Sequence, residues 1–250
     1  MATRTTEAGA TWPRAAAAAV FACLLAALAA LGAASSSDAA RAKEIGKTAN
    51  TPPPSCPTPK GNDFPARKGC QVLGEVTAFQ VRADGKKGLM KVPANGHIVG
   101  WAVDLARPNK EERAFFKDVL GDRAFNGKAS ARIAVVSHSE GKRFRLRAEG
   151  PVVKLNSLFG RRQYFTLNNP IPVNKGWIAA LTTQTWIPNF AHDLPGDGNT
   201  WRASRVKKRC EGFNNLTKRS KPHRDVGTNK IYGCIYRDAR PLYWAYFVKE

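Results

Sequence analysis

Acidic residues are scarce in this chain, which carries 19 Asp and Glu against 40 Lys and Arg. Several catalytic patterns are missing as well: the sequence has no G-x-S-x-G elbow, no H-E-x-x-H zinc motif, no phosphate-binding loop and no dinucleotide-binding glycine pattern. Its histidines are scattered, and the serines that flank His138 point away from it on a strand. These absences disfavour the common hydrolase, metalloprotease and nucleotide-dependent classes, and the sequence predicts no catalytic residue, no cofactor and no metal site.

Apolar segments long enough for a membrane are missing after residue 33. The one such run, Ala15–Ala33, has 19 uncharged residues, follows Arg4 and Arg14, and precedes an A-x-A site at residues 40–42. A basic flank, an apolar run and a small-residue exit predict a secretory signal peptide over residues 1–42. Because the run is just long enough to span a bilayer, an uncleaved anchor is the alternative. Membrane contact is expected only if that segment is retained.

Cysteine is sparse too, with five in the chain, of which Cys23 lies inside the apolar run. The remaining four form an even set in an exported chain, which predicts two disulfides. Three pairings are possible, and the two local closures are favoured: Cys56 with Cys70, and Cys210 with Cys234. A zinc site is disfavoured because no C-x-x-C pair is present.

Proline marks the start of the folded part. The stretch TPPPSCPTP, residues 51–59, is typical of an extended spacer, so residues 43–64 are predicted to be a disordered linker. Residues 65–250 show no further linker and are predicted to form one domain.

Short runs rich in β-branched and aromatic residues recur between Gly-rich and Pro-rich turns, which favours an all-β fold. We predict an antiparallel β-sandwich of jelly-roll type. In Lys142–Ala148 the apolar and basic residues alternate, as expected for a strand with one buried face. The predicted strands are Val72–Val81, Ile98–Leu105, Arg132–Val136, Phe144–Ala148, Val152–Leu155, Gln163–Leu167, Trp177–Thr183, Trp201–Val206, Lys230–Tyr236 and Leu242–Val248.

One short helix interrupts the strands. Asn109 followed by Glu112 is a capping-box pattern, and Gly121 is placed to end the helix. Phe115 and Phe116 each have an apolar partner four residues on, so both pairs are expected to face inward.

The excess of basic residues gives a formal net charge of +21. A field of this size attracts polyanions, so an anionic cell-wall polymer or an acidic polysaccharide is the expected partner. Protection of a strand edge and an arginine-rich genome are alternative causes of the excess. No nucleic-acid module is recognisable. The residues expected to form the polyanion face are Arg143, Arg145, Arg147, Arg205, Lys207, Lys208 and Arg209.

The stretch Thr185–Arg205 crowds polar groups between two tryptophans and is predicted to be an exposed loop. Stacking aromatic faces with a few polar groups are typical of a sugar site. The alternatives are a plain corner of the fold, a hydrolase with Asp193 and Asp197 as its carboxylates, and a calcium site that adds Asn199. The expected ligand-binding residues are Trp186, Asn189, His192, Asp193, Trp201 and Arg202.

Four segments carry a resemblance over roughly residues 56–248: GNDFPARKGC, PVVKLNSLFGRRQYFTLNNPIPVNKGWIAALTTQTWIPNFAH, TWRASR and YGCIYRDARPLYWAYFV. They resemble a group of exported proteins of high-GC soil actinobacteria to which no activity is assigned. The resemblance implies a secreted or extracytoplasmic bacterial protein and supplies no cofactor or catalytic residue.

The sequence therefore favours a non-catalytic binding protein of the cell envelope or its surroundings, directed at anionic glycans or wall polymers. A secreted carbohydrate-active enzyme acting at the Trp186–Trp201 loop is the alternative. A structural surface protein without a ligand is a third possibility.

Overall fold

The computed structural model describes residues 41–65, 68–121 and 125–250. The predicted signal segment thus lies, apart from its last two residues, outside the described part. The strands are β1 (Lys43–Ile45), β2 (Val76–Ala83), β3 (Lys86–Lys87), β4 (Gly96–Leu105), β5 (Ser130–His138), β6 (Arg143–Glu149), β7 (Val153–Lys154), β8 (Arg161–Val173), β9 (Ile178–Thr183), β10 (Phe190–Ala191), β11 (Thr200–Ala203), β12 (Asn229–Ile231), β13 (Cys234–Arg237), β14 (Arg240–Pro241) and β15 (Tyr243–Lys249), and the helices are α1 (Lys110–Leu120) and α2 (Phe213–Leu216).

The strands form two antiparallel sheets and one small pair, so the predicted all-β sandwich is confirmed. The smaller sheet has the order β1-β15-β4-β8. The larger sheet has the order β12-β6-β5-β9-β2-β11-β13, with β3 paired to β2 and β7 paired to β5. Strands β10 and β14 pair only with each other. Every predicted apolar run overlaps a strand, and the run at residues 230–236 divides into β12 and β13.

The two sheets share one apolar core. The hydroxyl of Tyr243, on the smaller sheet, donates to the carbonyl of Ala179 on the larger sheet at 3.0 Å. Fully buried side chains such as Ile98, Ile133 and Leu181 belong to the same core, and each contributes about 1.5–3 kcal/mol by leaving water. Burial raises the pKa of Tyr243, so its hydroxyl stays protonated and keeps donating.

The single predicted helix is α1, and its capping box is present. The side chain of Asn109 accepts from the Glu112 amide, and Glu112 accepts from the Asn109 amide. Gly121 ends the helix as predicted, but in an extended conformation (φ −77°) instead of a left-handed one. Glycine is required there because a side chain would collide with the Lys117 carbonyl and with Gly127.

Both favoured disulfides are present, Cys56–Cys70 and Cys210–Cys234. The second closes a loop that holds α2, a single turn that the sequence pattern did not predict. Among the described residues, no helix has the length and apolarity that a membrane span needs.

The prediction of a disordered spacer over residues 43–64 is wrong. Its first residues form β1, which pairs with β15 along the edge of the smaller sheet. The amide of Ser55 donates to the Phe190 carbonyl at 2.9 Å, and Thr58 bonds to Glu112 of α1. Prolines lack an amide that would need a partner, so the disulfide at Cys56 and these few bonds are enough to hold the segment on the domain.

Candidate functional site

Trp186 is a core residue, which corrects its prediction as a sugar-stacking face. Its side chain is 1% exposed and packs against Phe116 and Phe159, with ring centroids 5.4 and 5.6 Å away. Its indole donates to the Gly127 carbonyl at 3.1 Å. Strands β9 and β11, which flank this stretch, do not pair with each other, because both pair with β2, which lies between them.

Asn189 and Arg202 are also corrected, because neither is placed as a ligand-binding residue. Asn189 is fully buried, and its main-chain carbonyl accepts from the Leu242 amide at 2.8 Å. Arg202 donates to the Tyr232 carbonyl at 3.2 Å and lies over the Phe144 ring. The side-chain amide of Asn189 also donates to the Leu242 carbonyl at 3.5 Å. Both side chains therefore bond within the fold, and neither lines the cleft described next.

The other three predicted loop residues, His192, Asp193 and Trp201, line one cleft with a volume of ≈ 470 Å³. Pockets of about 300–1,000 Å³ typically hold small ligands. His192 Nδ1 lies 3.1 Å from a carboxylate oxygen of Asp193, and its Nε2 lies 3.0 Å from the Gly69 carbonyl. Trp201 stacks on Tyr236 with a centroid distance of 4.4 Å and an interplanar angle of 19°. The stacking covers one face of Trp201 and leaves only 5% of the residue exposed.

The opposite wall of the cleft is apolar and comes from the two helices. Phe115, Val119 and Leu120 of α1 contribute to it, together with Phe213 and Leu216 of α2. Phe213 is 54% exposed, so the wall reaches the surface. The part of this wall that comes from α1 could be found in the sequence, because the four-residue spacing of apolar residues predicted which face of the helix points inward.

Arg205 corrects the predicted polyanion face, because it lies inside the protein at the cleft wall. The residue is 7% exposed, and its guanidinium donates to Ser220 Oγ at 2.9 Å and to the Tyr236 hydroxyl at 3.1 Å. No carboxylate of the described chain lies within ion-pair distance of it. A buried cation without a counter-charge is unusual.

The carboxylates of the loop do not form a hydrolase pair. Asp197 is exposed and bonded to Arg237 at 2.8 Å, whereas Asp193 lies beside His192. A calcium site is no better supported, since the side-chain oxygen of Asn199 accepts from the Asp84 amide at 3.2 Å. Within the described ranges, no group of three or more His, Cys, Asp or Glu is placed to hold a metal ion.

The remaining predicted basic residues form what we call the basic strip: Arg143, Arg145, Arg147, Lys207, Lys208 and Arg209. All six are exposed, and in β6 the alternating Phe144 and Leu146 are buried as predicted. The two parts of the strip adjoin through the backbone. The Tyr232 amide donates to the Lys142 carbonyl at 2.8 Å, and Gly233 bonds to Arg205, two residues before Lys207.

A buried polar cluster on the larger sheet was missed in the sequence. Arg132 and Glu149 form a close ion pair, and burial raises the pKa of Glu149 to about 7 although Arg132 opposes that rise. His223 lies nearby, with Nδ1 3.3 Å from the Tyr232 hydroxyl and Nε2 3.0 Å from Thr228 Oγ1. A lone arginine in the apolar run Arg132–Val136 was the only sequence signal.

Comparison of the chain with protein-family models, curated proteins and solved structures finds no match. The geometry of the cleft and of the basic strip therefore carries the functions proposed below.

Proposed function

We propose that the protein is an exported, non-catalytic binding protein of the bacterial cell envelope or its surroundings, and that its ligand is a linear polyanion. Acidic polysaccharides and anionic wall polymers have this chemistry. The observation that carries the proposal is the basic strip, in which three exposed cations on β6 adjoin three on the 3-10 turn Lys207–Arg209.

The strip is not neutralised by the part of the protein that the structure describes. No member of it makes an ion pair with a carboxylate of the described residues. Arg147 instead donates to Ser137 Oγ at 2.8 Å and lies over the Trp177 ring. Its orientation is therefore fixed while its charge is left for an external anion, and such a field raises the local concentration of polyanions.

The spacing of the strip suits a chain of anionic groups. Alternate residues of a strand lie about 7 Å apart and point to the same side, so the three arginines of β6 form a straight row. Protection of a strand edge does not explain Arg143 and Arg145, because β12 pairs with β6 at these residues.

Export is supported by the two disulfides, which form and persist in oxidising compartments. A carbohydrate-active enzyme at the Trp186–Trp201 loop is less well supported, because Trp186 lies in the core and cannot stack on a sugar. The loop aspartates are each engaged by a neighbouring basic group.

The test separates the strip from net charge. A triple variant with Arg143→Gln, Arg145→Gln and Lys208→Gln is compared with a control that loses the same charge elsewhere, at the exposed residues Lys86, Lys87 and Lys175. Binding to polygalacturonate and to a poly(glycerol phosphate) wall polymer is measured at several salt concentrations, with neutral dextran as the blank.

We expect the strip variant to bind at least tenfold more weakly, equivalent to about 1.4 kcal/mol, and to show a shallower salt dependence. The control variant should stay within about twofold of the parent protein. Equal losses in both variants would show that only net charge is felt and would contradict the proposal. Cleavage of either polymer by the parent protein would instead favour the carbohydrate-active enzyme.

A further inference from the structure

We infer that the cleft beside Arg205 binds a small amphiphile that carries one anionic group at the end of an apolar tail. This inference rests on the cleft and not on the basic strip, so it stands or falls separately from the proposed function. The chemistry of the ligand follows from the two ends and the walls of the cleft.

The anionic end is assigned to Arg205. Two of its guanidinium nitrogens are held by the hydroxyls of Ser220 and Tyr236, and its third, Nη2, has no partner in the described part of the chain. The Tyr236 hydroxyl is fixed in turn, because it donates to the Cys210 carbonyl at 2.9 Å. A planar guanidinium that is held in place, largely buried and without a carboxylate partner among the described residues is suited to bind a carboxylate.

The tail is assigned to the helical wall. Phe115 and Phe213 face each other there with a centroid distance of 6.5 Å, and Leu216 and Val119 continue the same surface. Gly74 allows Leu120 to pack closely against the backbone there, since a Cβ at position 74 would lie 3.3 Å from the Leu120 side chain. Hydrocarbon placed on this surface leaves water, which is favourable in proportion to the area covered.

The far end of the cleft carries charges of both signs, because His192 and Arg237 line it beside two aspartates. Asp193 and Asp238 line it there, and the Leu194 amide bonds to the Asp238 carbonyl at 3.0 Å, which holds the two aspartates together. Arg205 lies beyond Ala203 at the other end of the β11–β13 pair, where Ala203 is opposite Cys234. Asp238 comes four positions after Cys234, just past the end of β13, which places it on the order of 13 Å away. The single anionic group of the ligand is therefore placed at Arg205, apart from the two aspartates.

The experiment uses octanoate, octanol and octylammonium, which share a tail and differ in their charge. Binding is followed through the indole resonance of Trp201, assigned with Trp201→Phe, and by calorimetry. We expect octanoate to bind at least tenfold more tightly than octanol, and octylammonium to bind more weakly than either. Octanol binding as tightly as octanoate, or a Trp201 resonance that no member of the series shifts at millimolar concentration, would overturn the inference.

Substitutions at Arg205 and Arg202 test where the anionic group of octanoate binds. Arg205→Gln should abolish the preference for octanoate over octanol, whereas Arg202→Gln, the same change three residues earlier and outside the cleft lining, should retain it. Phe213→Ala, at an exposed position, should weaken octanoate and octanol by the same factor. Retention of the preference in a folded Arg205→Gln protein would contradict the assignment. If that variant does not fold, the parent protein's ligand series decides.

Discussion

Thr58 and Glu112 are 54 positions apart in the chain and share two hydrogen bonds. The backbone amide and the hydroxyl of Thr58 both donate to Oε1 of Glu112, at 2.7 and 2.6 Å. The other carboxylate oxygen accepts from the Asn109 amide at 2.7 Å, and the Thr58 hydroxyl accepts from the Cys70 amide. One buried carboxylate thus joins the start of α1 to the first disulfide loop.

Removal of that carboxylate should destabilise the protein more than removal of the helix cap. We expect Glu112→Ala to lower the free energy of unfolding by about 3 kcal/mol, because it leaves buried amides without acceptors. Asn109→Ala should cost about 1 kcal/mol. Urea unfolding measures both, with the exposed Glu111→Ala as the control, expected within about 0.5 kcal/mol of the parent protein. Equal effects of Glu111→Ala and Glu112→Ala would refute the linking role of Glu112.

Trp186 should matter for stability and not for polyanion binding. Trp186→Ala is expected to cost about 3–5 kcal/mol, since it empties a space between Phe116 and Phe159. Trp186→Phe, which keeps an aromatic ring, should bind polygalacturonate with unchanged affinity at every salt concentration. A loss of binding in a folded Trp186→Phe protein would restore this tryptophan to a ligand site.

Each disulfide should contribute measurably to stability. The bridges close loops of 14 and 24 residues in sequence separation, for which the chain-entropy estimate gives about 3 kcal/mol each. The Cys210→Ser, Cys234→Ser double variant should also weaken octanoate binding, since Cys210 supplies the carbonyl that fixes Tyr236. The Cys56→Ser, Cys70→Ser pair is the matched control for stability only, because Cys70 itself lines the cleft. Unchanged octanoate binding in a folded Cys210→Ser, Cys234→Ser protein would argue against the Cys210–Tyr236 link.

The stability of the protein should depend on pH through His223. Burial and the charge of Lys230 lower the pKa of His223 to about 4, against the opposing effect of Asp225. The Thr228 hydroxyl donates to the Asp225 carbonyl, so it accepts from Nε2–H, and Nδ1 is left to accept from Tyr232. The folded protein therefore stabilises the neutral form of the His223 imidazole.

A histidine with a lowered pKa binds fewer protons in the folded state than in the unfolded state between its two pKa values. The contribution of His223 is therefore fully present above about pH 6.5 and is lost as the pH falls toward 4, by at most about 3 kcal/mol. Glu149, with its raised pKa, acts in the opposite direction: its contribution decreases as the pH rises toward 7. In chemical unfolding at pH 4, 5, 6 and 7, His223→Gln should remove the loss attributed to His223 and leave the Glu149 trend. Parallel profiles for the parent and variant proteins would exclude His223 as the source.

Much of the fold was readable from local pattern. The alternation in β6, the capping box of α1 and the short loops between paired cysteines each depend on neighbours in the sequence, and each was predicted. Trp186 and Arg205 were misplaced because their environments are made by distant elements: α1 covers Trp186, and Ser220 and Tyr236 bury Arg205. The spacer was misjudged for the same reason, since its partners in β15 lie about two hundred residues away.

The central position of β2 also determines when the larger sheet can form. Residues 76–83 pair with β9 and with β11, more than one hundred residues later in the chain. A nascent or refolding chain must therefore close very long loops before β2 gains its neighbours, and such non-local topology is associated with slow folding. The protein is accordingly expected to spend a long time with β2 unpaired except at its end, where β3 is a local partner. This strand is the segment from which intermolecular association during folding would start.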